Sequence, residues 1–257
     1  MQIIAISSFK GGTAKTSTAL HIGTAFAKFH KKKVLLIDFD AQANLTTGLG
    51  FDPDEHDSLA SVLQGTKSIH EVIKSTSVPS LDLIPADTWL ERIEVTGALA
   101  ADRYSHEKLK EHIKNLSYDV VIIDTPPSLC WLTESAMIAA HHTLVCATPE
   151  FYSVKGLERL GMFIESIDKR HPLNTLGVIL SFWNSRGKSN DAFLEAIERT
   201  FPKKTFKSKI RRDIAIPEGS ILGKSVFDTD PKSRAAEDYL EVTKEILKRL
   251  SASNKKG

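Results

Sequence analysis

Residues 9–17, FKGGTAKTS, follow directly on the apolar run IIAISS at 3–8. A glycine-bearing loop between a buried strand and a helix can hold phosphate, because its backbone N–H groups and the helix N-terminus present positive potential together. The general pattern G-x-x-x-x-G-K-[ST] is not met. It asks for glycine at two positions where this chain has Phe9 and Ala14. Gly11 and Gly12 still allow the backbone to approach oxygens without a Cβ in the way. Lys15 can reach β- and γ-phosphates as a point charge, and the Thr16 hydroxyl can ligate magnesium. Alone, the stretch reads also as an ordinary strand-to-helix turn. Acidic strand ends downstream decide between the two.

Such ends follow. VLLID closes on Asp38 with Asp40 two residues on, and VVIID closes on Asp124 before Pro126 and Pro127. Hydrophobic strands ending in aspartate put carboxylates at the C-terminal edge of a parallel sheet, where such sheets bind ligands. A magnesium nucleotide needs a positive cradle and oxygen donors around its metal. Apolar runs of strand length recur at 3–7, 33–38, 81–86, 119–124, 142–148 and 176–182. They suit strands buried on both faces. Between the first two, Ala19, Leu20, Ile22, Gly23, Phe26 and Ala27 make one apolar helical face. The alternation predicts an α/β fold with a mainly parallel twisted sheet flanked by helices. With no repeat or Pro/Gly-rich linker, residues 1–257 read as one domain, ending in a polar tail at 251–257.

Composition narrows the class. Two cysteines, Cys130 and Cys146, exclude a disulfide framework and a four-thiolate site within one chain. The N-terminus lacks the pattern of a secretion signal and no long apolar run follows, so a cytoplasmic, non-membrane protein is expected. The formal net charge is +2, from 34 basic and 32 acidic side chains, but placement matters more. KKTFKSKIRR at 203–212 holds Lys203, Lys204, Lys207, Lys209, Arg211 and Arg212 with no acid between them. It reads equally as a solvated strand-and-turn surface or as a nucleic-acid contact. The closing segment places Tyr239, Val242, Ile246 and Leu250 on one helical face. Its acidic half, Glu237, Asp238, Glu241 and Glu245, opposes a role on anionic lipid.

Together these motifs resemble the ParA subfamily of the ParA/MinD deviant Walker-A ATPases. Lys10, Gly11, Gly12, Lys15 and Thr16 satisfy its K-G-G-x-x-K-[ST] signature, DFDAQANLTTGLG (38–50) is similar to its switch I, and IIDTPPSL (122–129) to its Walker B and switch II stretch. EFYSVKGLERL (150–160) and DPKSRAAEDYL (230–240) resemble later segments, so the likeness runs from residue 2 to about 250.

The resemblance implies a three-layer P-loop NTPase fold, ATP and Mg²⁺ as cofactors, and an ATP-bound sandwich homodimer in which Lys10 reaches the partner's phosphates. Lys10, Lys15 and Asp40 become catalytic, with Asp40 positioning the attacking water. Thr16, Asp38 and Asp124 surround the metal. Nucleotide contacts fall on Lys10, Gly11, Gly12, Thr13, Ala14, Lys15, Thr16 and Ser17, with the base near Asn184, Asp213 and Pro217. Asn184 reads equally as a turn residue. The dimer is expected to bind DNA without sequence preference on the nucleoid, and a ParB-like centromere-binding protein to stimulate hydrolysis. Arg186 and Arg212 match basic positions used on DNA, whereas Ala215 stands where some relatives have arginine and Arg211 replaces a common proline. With the motif-bearing strand starting at residue 2, no preceding DNA-binding domain is expected. The alternatives are a MinD-like membrane-positioned ATPase, disfavoured by switch I and the tail, and a nucleotide-switched scaffold with negligible hydrolysis. A nitrogenase iron-protein relative is disfavoured by the cysteines, and a tyrosine-kinase relative by the lack of a tyrosine cluster in the tail.

Overall fold

The computed structural model describes residues 1–55, 57–96, 102, 104–149, 153–187 and 190–253. The start of the 150–160 segment and the end of the polar tail lie outside the described residues. Eight strands form one sheet: β1 (Gln2–Ser7), β2 (Val34–Asp38), β3 (Lys74–Ser75), β4 (Leu81–Ile84), β5 (Val120–Asp124), β6 (His142–Ala147), β7 (Asn174–Trp183) and β8 (Thr205–Arg211). Their order is β3-β4-β2-β5-β1-β6-β7-β8, parallel throughout except for β3 against β4.

Side chains alternate across the pleat, so each central strand feeds two cores. Ile3, Ala5, Leu35, Ile37, Val121 and Ile123 face one core, which helices Trp131–Ala139, Ser153–Asp168 and Asn190–Thr200 complete. Ile4, Ile6, Val34, Leu36, Val120 and Ile122 face the other, covered by helices Lys15–His30 and Arg234–Ser253. The result is helix, sheet, helix in three layers. All six apolar runs are strands, and the apolar faces expected of the first and last helices are buried.

Two strands escaped the periodicity. β3 has only two residues, and β8 hides its buried Phe206 and Ile210 among basic residues. Both are sheet edges, where lysines discourage further strand pairing. The acids of the last helix have a task the sequence did not disclose: they staple β8. Glu245 accepts the Lys207 and Ser208 N–H groups, and Asp238 accepts the Arg211 backbone N–H and its guanidinium. Among the described residues no helix is long and apolar enough to cross a membrane.

Pairing also sets the chemistry. Asp38 lies directly beside Asp124 in the β2–β5 register, and Ile6 pairs with Asp124 on the other side. The end of β1, which launches the 9–14 loop, therefore meets both aspartates at one edge of the sheet.

Candidate nucleotide site

Between β1 and the Lys15–His30 helix the chain turns through two left-handed residues, Gly12 (φ 73) and Ala14 (φ 63). Nothing lies within 4 Å of a Cβ built on Gly12, so the loop is open on that side. Lys15 is 6% exposed, and its Nζ donates to Ser8 Oγ at 3.0 Å. Ser8 Oγ donates in turn to the Lys10 carbonyl at 2.8 Å, and Thr13 Oγ1 donates to the same carbonyl at 3.4 Å. Ser8 thus ties the two lysines of the loop together, a link no motif announced.

The left-handed φ at Ala14 explains why the general pattern prefers glycine there. A Cβ in that region costs about 1–2 kcal/mol, partly offset by the lower chain entropy of unfolded alanine. Ala14→Gly is expected to stabilise the fold by about 1 kcal/mol, raising the unfolding midpoint by about 2–4 °C in a chain of this size, with ATP affinity retained. An unchanged or lower midpoint in thermal denaturation would show that the loop carries no such strain.

The carboxylates divide the work. Asp38 is fully buried; its Oδ2 accepts Thr46 N and Thr46 Oγ1 at 2.9 and 2.8 Å, and its Oδ1 accepts Asp40 N at 3.2 Å. Thr46 Oγ1 also accepts Ala86 N at 3.0 Å. Asp38 therefore knots the 38–50 segment to the sheet edge. Burial pushes its carboxyl up to about 6 despite those donors. Asp124 is also fully buried, but it takes only the Thr16 hydroxyl, at 2.7 Å on Oδ2, and its Oδ1 has no hydrogen-bond partner. Burial, then the Asp38 charge, pushes Asp124 up to about 8, against the pull of Thr16 and Lys15.

A hydroxyl beside a half-satisfied buried carboxylate is a hard oxygen pair that suits Mg²⁺, an ion that keeps several waters and borrows phosphate oxygens. No cluster of three or more His, Cys, Asp or Glu among the described residues could bind a metal unaided. Thr16 and Asp124 form such a pair, and Asp38 stands beside them with its oxygens taken by Thr46 and Asp40 N–H.

A cavity of about 470 Å³ is lined by Gly11–Ser17, Asp40, Gln42, Asn44, Thr47, Gly48, Pro127, Phe182 and Ser220. Asp40 Oδ1 accepts Gln42 N at 3.0 Å, and Asp40 is 8% exposed. Ser17, Phe182 and Ser220 also line a second, more apolar cavity of about 730 Å³ with Arg212, Asp213, Ile214, Ile216, Pro217 and Ile221. A polar, glycine-floored compartment thus adjoins an apolar one. Asp213 and Pro217 sit where the sequence places them. Asn184 lies outside both linings, in a turn where its Oδ1 accepts Arg186 N and its carbonyl accepts Gly187 N and Asn190 Nδ2. Phe182, which lines both compartments, has φ 53, a costly value for an aromatic residue. Its place in a strand-like run concealed it.

The basic block does not form one face. Lys203 and Lys204 sit before β8 and Arg212 after it, on the order of 25 Å apart at strand rise, well beyond a Debye length of about 8–10 Å. Lys204 Nζ donates to the Thr175 carbonyl at 2.6 Å. Arg211 is clamped by Asp238 and Glu237 at 2.6 and 2.8 Å, so its guanidinium also serves to hold β8 to the last helix. The Lys209 ammonium lies 3.8 Å from the Trp183 ring centroid, and the Arg212 guanidinium 5.3 Å from that of Phe182. With Arg186 in the turn after β7, these residues sit at the nucleotide end of the sheet.

A family model described as "AAA domain" matches residues 1–176. A ParA family protein of Chlamydia muridarum is 68% identical over 249 residues, covering 96% of this chain and 98% of that protein. The sporulation initiation inhibitor protein Soj of Bacillus subtilis is 34% identical over 250 residues, covering 95% and 98%. Among solved structures, the cobyrinic acid a,c-diamide synthase of Mycobacterium smegmatis with bound ADP and magnesium is similar with a TM-score of 0.84 and 28% identity, over 98% of this chain and 96% of that one. Identity of that extent along nearly the whole sequence, joined to a strand-loop-helix phosphate cradle, means that the chain belongs to the ParA family of P-loop ATPases.

Proposed function

We propose that this ATPase, acting as a single domain, partitions DNA: ATP binding drives a sandwich homodimer, the dimer holds DNA without sequence preference on the nucleoid, and a ParB-like partner triggers hydrolysis and release. One observation carries the reading. The glycine-floored cradle ending in Lys15 and Thr16 faces Asp40 across one cavity and opens beside an apolar compartment large enough for a base. Bound ADP and magnesium in the M. smegmatis relative support the same occupancy here.

Lys15 and the loop N–H groups bind the phosphates, and Lys10 of the partner subunit adds charge from across the interface. Thr16 and Asp124, with Asp38 beside them, would hold magnesium, which would further neutralise the phosphate oxygens. Asp40 orients the attacking water. Phosphoryl transfer needs little covalent help, so these charges and that placement carry the rate. Asp213 and Pro217 flank the base, with Phe182 and Ile216 as apolar walls.

On the DNA side, Arg186, Lys209 and Arg212 form the patch, and each phosphate contact steepens the salt dependence. The double variant Arg186→Glu/Lys209→Glu is expected to lose ATP-dependent cosedimentation with nonspecific duplex at least tenfold, with ATP affinity within threefold of the parent. Lys203→Glu should leave retention near the parent value. Equal losses from both would move the DNA face, and ATP-dependent retention on anionic liposomes instead of DNA would favour the MinD-like reading.

A further inference from the structure

Phe9, directly before Lys10, breaks the general phosphate-loop pattern and has no part in the deviant one, yet its half-buried ring is in close contact with a glycine of a distant helix. A Cβ on Gly156 would lie 1.9, 2.3 and 2.5 Å from Cδ2, Cε2 and Cγ of the Phe9 ring. No side chain other than hydrogen fits there without moving the ring. Gly156 belongs to the first turn of the Ser153–Asp168 helix, which is anchored below by buried Leu157, Leu160, Ile164 and Ile167. Phe9 itself packs against that core. The ring therefore has a rigid floor, and the residue that follows it is Lys10. On the other side, the Lys10 carbonyl is held by Ser8 Oγ and Thr13 Oγ1.

We propose that Phe9 is a positioning residue: its ring, wedged over Gly156, fixes the backbone from which Lys10 departs and so sets the reach of that lysine toward the partner subunit's phosphates. The inference rests on the reading of Lys10 as the lysine that acts in trans. A brace of this kind affects a step that needs two subunits and leaves ATP capture by one subunit alone. Thr16 and the glycines lie beyond Lys10, with Thr16 held by Asp124, and Lys15 is held by the Ser8 hydroxyl and not by the ring.

The test compares five proteins: parent, Lys10→Ala, Gly156→Ala, Phe9→Ala, and Gly156→Ala/Phe9→Leu. The methyl of Gly156→Ala takes about the volume that exchanging a ring for leucine releases, so the double variant restores the packing. ATPase kcat, ATP affinity and ATP-dependent dimerisation are measured for each. Gly156→Ala and Phe9→Ala are expected to lose at least tenfold in kcat and dimerisation, with ATP affinity within twofold of the parent. The double variant should recover kcat to within threefold. A merely structural loss would lower kcat, dimerisation and ATP affinity together, so the split between kcat and affinity marks a positioning role. Should Gly156→Ala fail to fold, Phe9→Ala decides alone, since it introduces no clash. Parent-like kcat in Phe9→Ala, or a double variant as poor as Gly156→Ala, overturns the proposal. Parent-like activity in Lys10→Ala would instead remove the trans-lysine reading beneath it.

Discussion

Lys15→Ala is expected to weaken ATP binding by between about thirtyfold and several thousandfold, the equivalent of about 2–5 kcal/mol for deleting one partner of a desolvated charged pair. The cause is the setting of the ammonium. It is nearly buried, at 6% exposure, and its one hydrogen bond within the loop is to the neutral hydroxyl of Ser8, at 3.0 Å. A cation so placed gains most when phosphate arrives, because water does little to compensate it beforehand. Its removal has a second effect, since the Lys15 charge counters the upward push on Asp124. Without it the Asp124 carboxyl rises further, and magnesium must displace a more firmly held proton. The affinity loss should therefore be larger when titrated with magnesium than without, using a fluorescent ATP analogue. Affinity within threefold of the parent would mean that Lys15 is not the phosphate lysine.

The sequence carried the sheet and the phosphate loop for definite reasons. Continuous apolar runs identify central strands because both faces are covered, and strand ends in Asp38 and Asp124 mark the edge where loops meet. Edge strands lack that signature: β8 has only Phe206 and Ile210 inside, and its basic residues read as a surface block. The fate of that block depended on a helix later in the chain, where Asp238, 27 residues from Arg211, and Glu245, 37 residues from Ser208, staple it. Motif matching could name Asp38 and Asp124 but not their different surroundings: Thr46 occupies Asp38, and Asp124 Oδ1 has no hydrogen-bond partner. The apolar compartment was half legible. Asp213 and Pro217 came from likeness, while Phe182 belongs to it through a left-handed backbone that no pattern of residue types encodes. Phe9 shows the same limit, since its meaning depends on a glycine in a distant helix.

Asp40→Ala is expected to lower the hydrolysis rate by about 10²- to 10⁴-fold, the range of a positioned acid or base, while ATP affinity changes by less than about threefold. Asp40 faces the glycine loop across the cavity that holds Thr16 and Ser17. It is not one of the phosphate-binding groups. One of its oxygens, Oδ1, is fixed by the Gln42 N–H at 3.0 Å, which sets the carboxylate plane. Alanine removes the carboxylate and that local turn together, so Asp40→Asn separates the two effects. Asparagine keeps an acceptor for Gln42 N–H and an amide able to bond a water, but it cannot take a proton. If Asp40 acts as a base, Asp40→Asn should be as slow as Asp40→Ala; if it only orients the water, Asp40→Asn should recover at least tenfold. In either case both variants should accumulate ATP-bound dimers that stay on DNA, because the step that resets them is blocked. Single-turnover hydrolysis, read beside sedimentation on nonspecific duplex, measures both quantities on one sample. Parent-like turnover in Asp40→Ala would remove Asp40 from the mechanism and leave water placement to Gln42, Asn44 or Thr47, the other polar residues of the 38–50 segment that line the cavity.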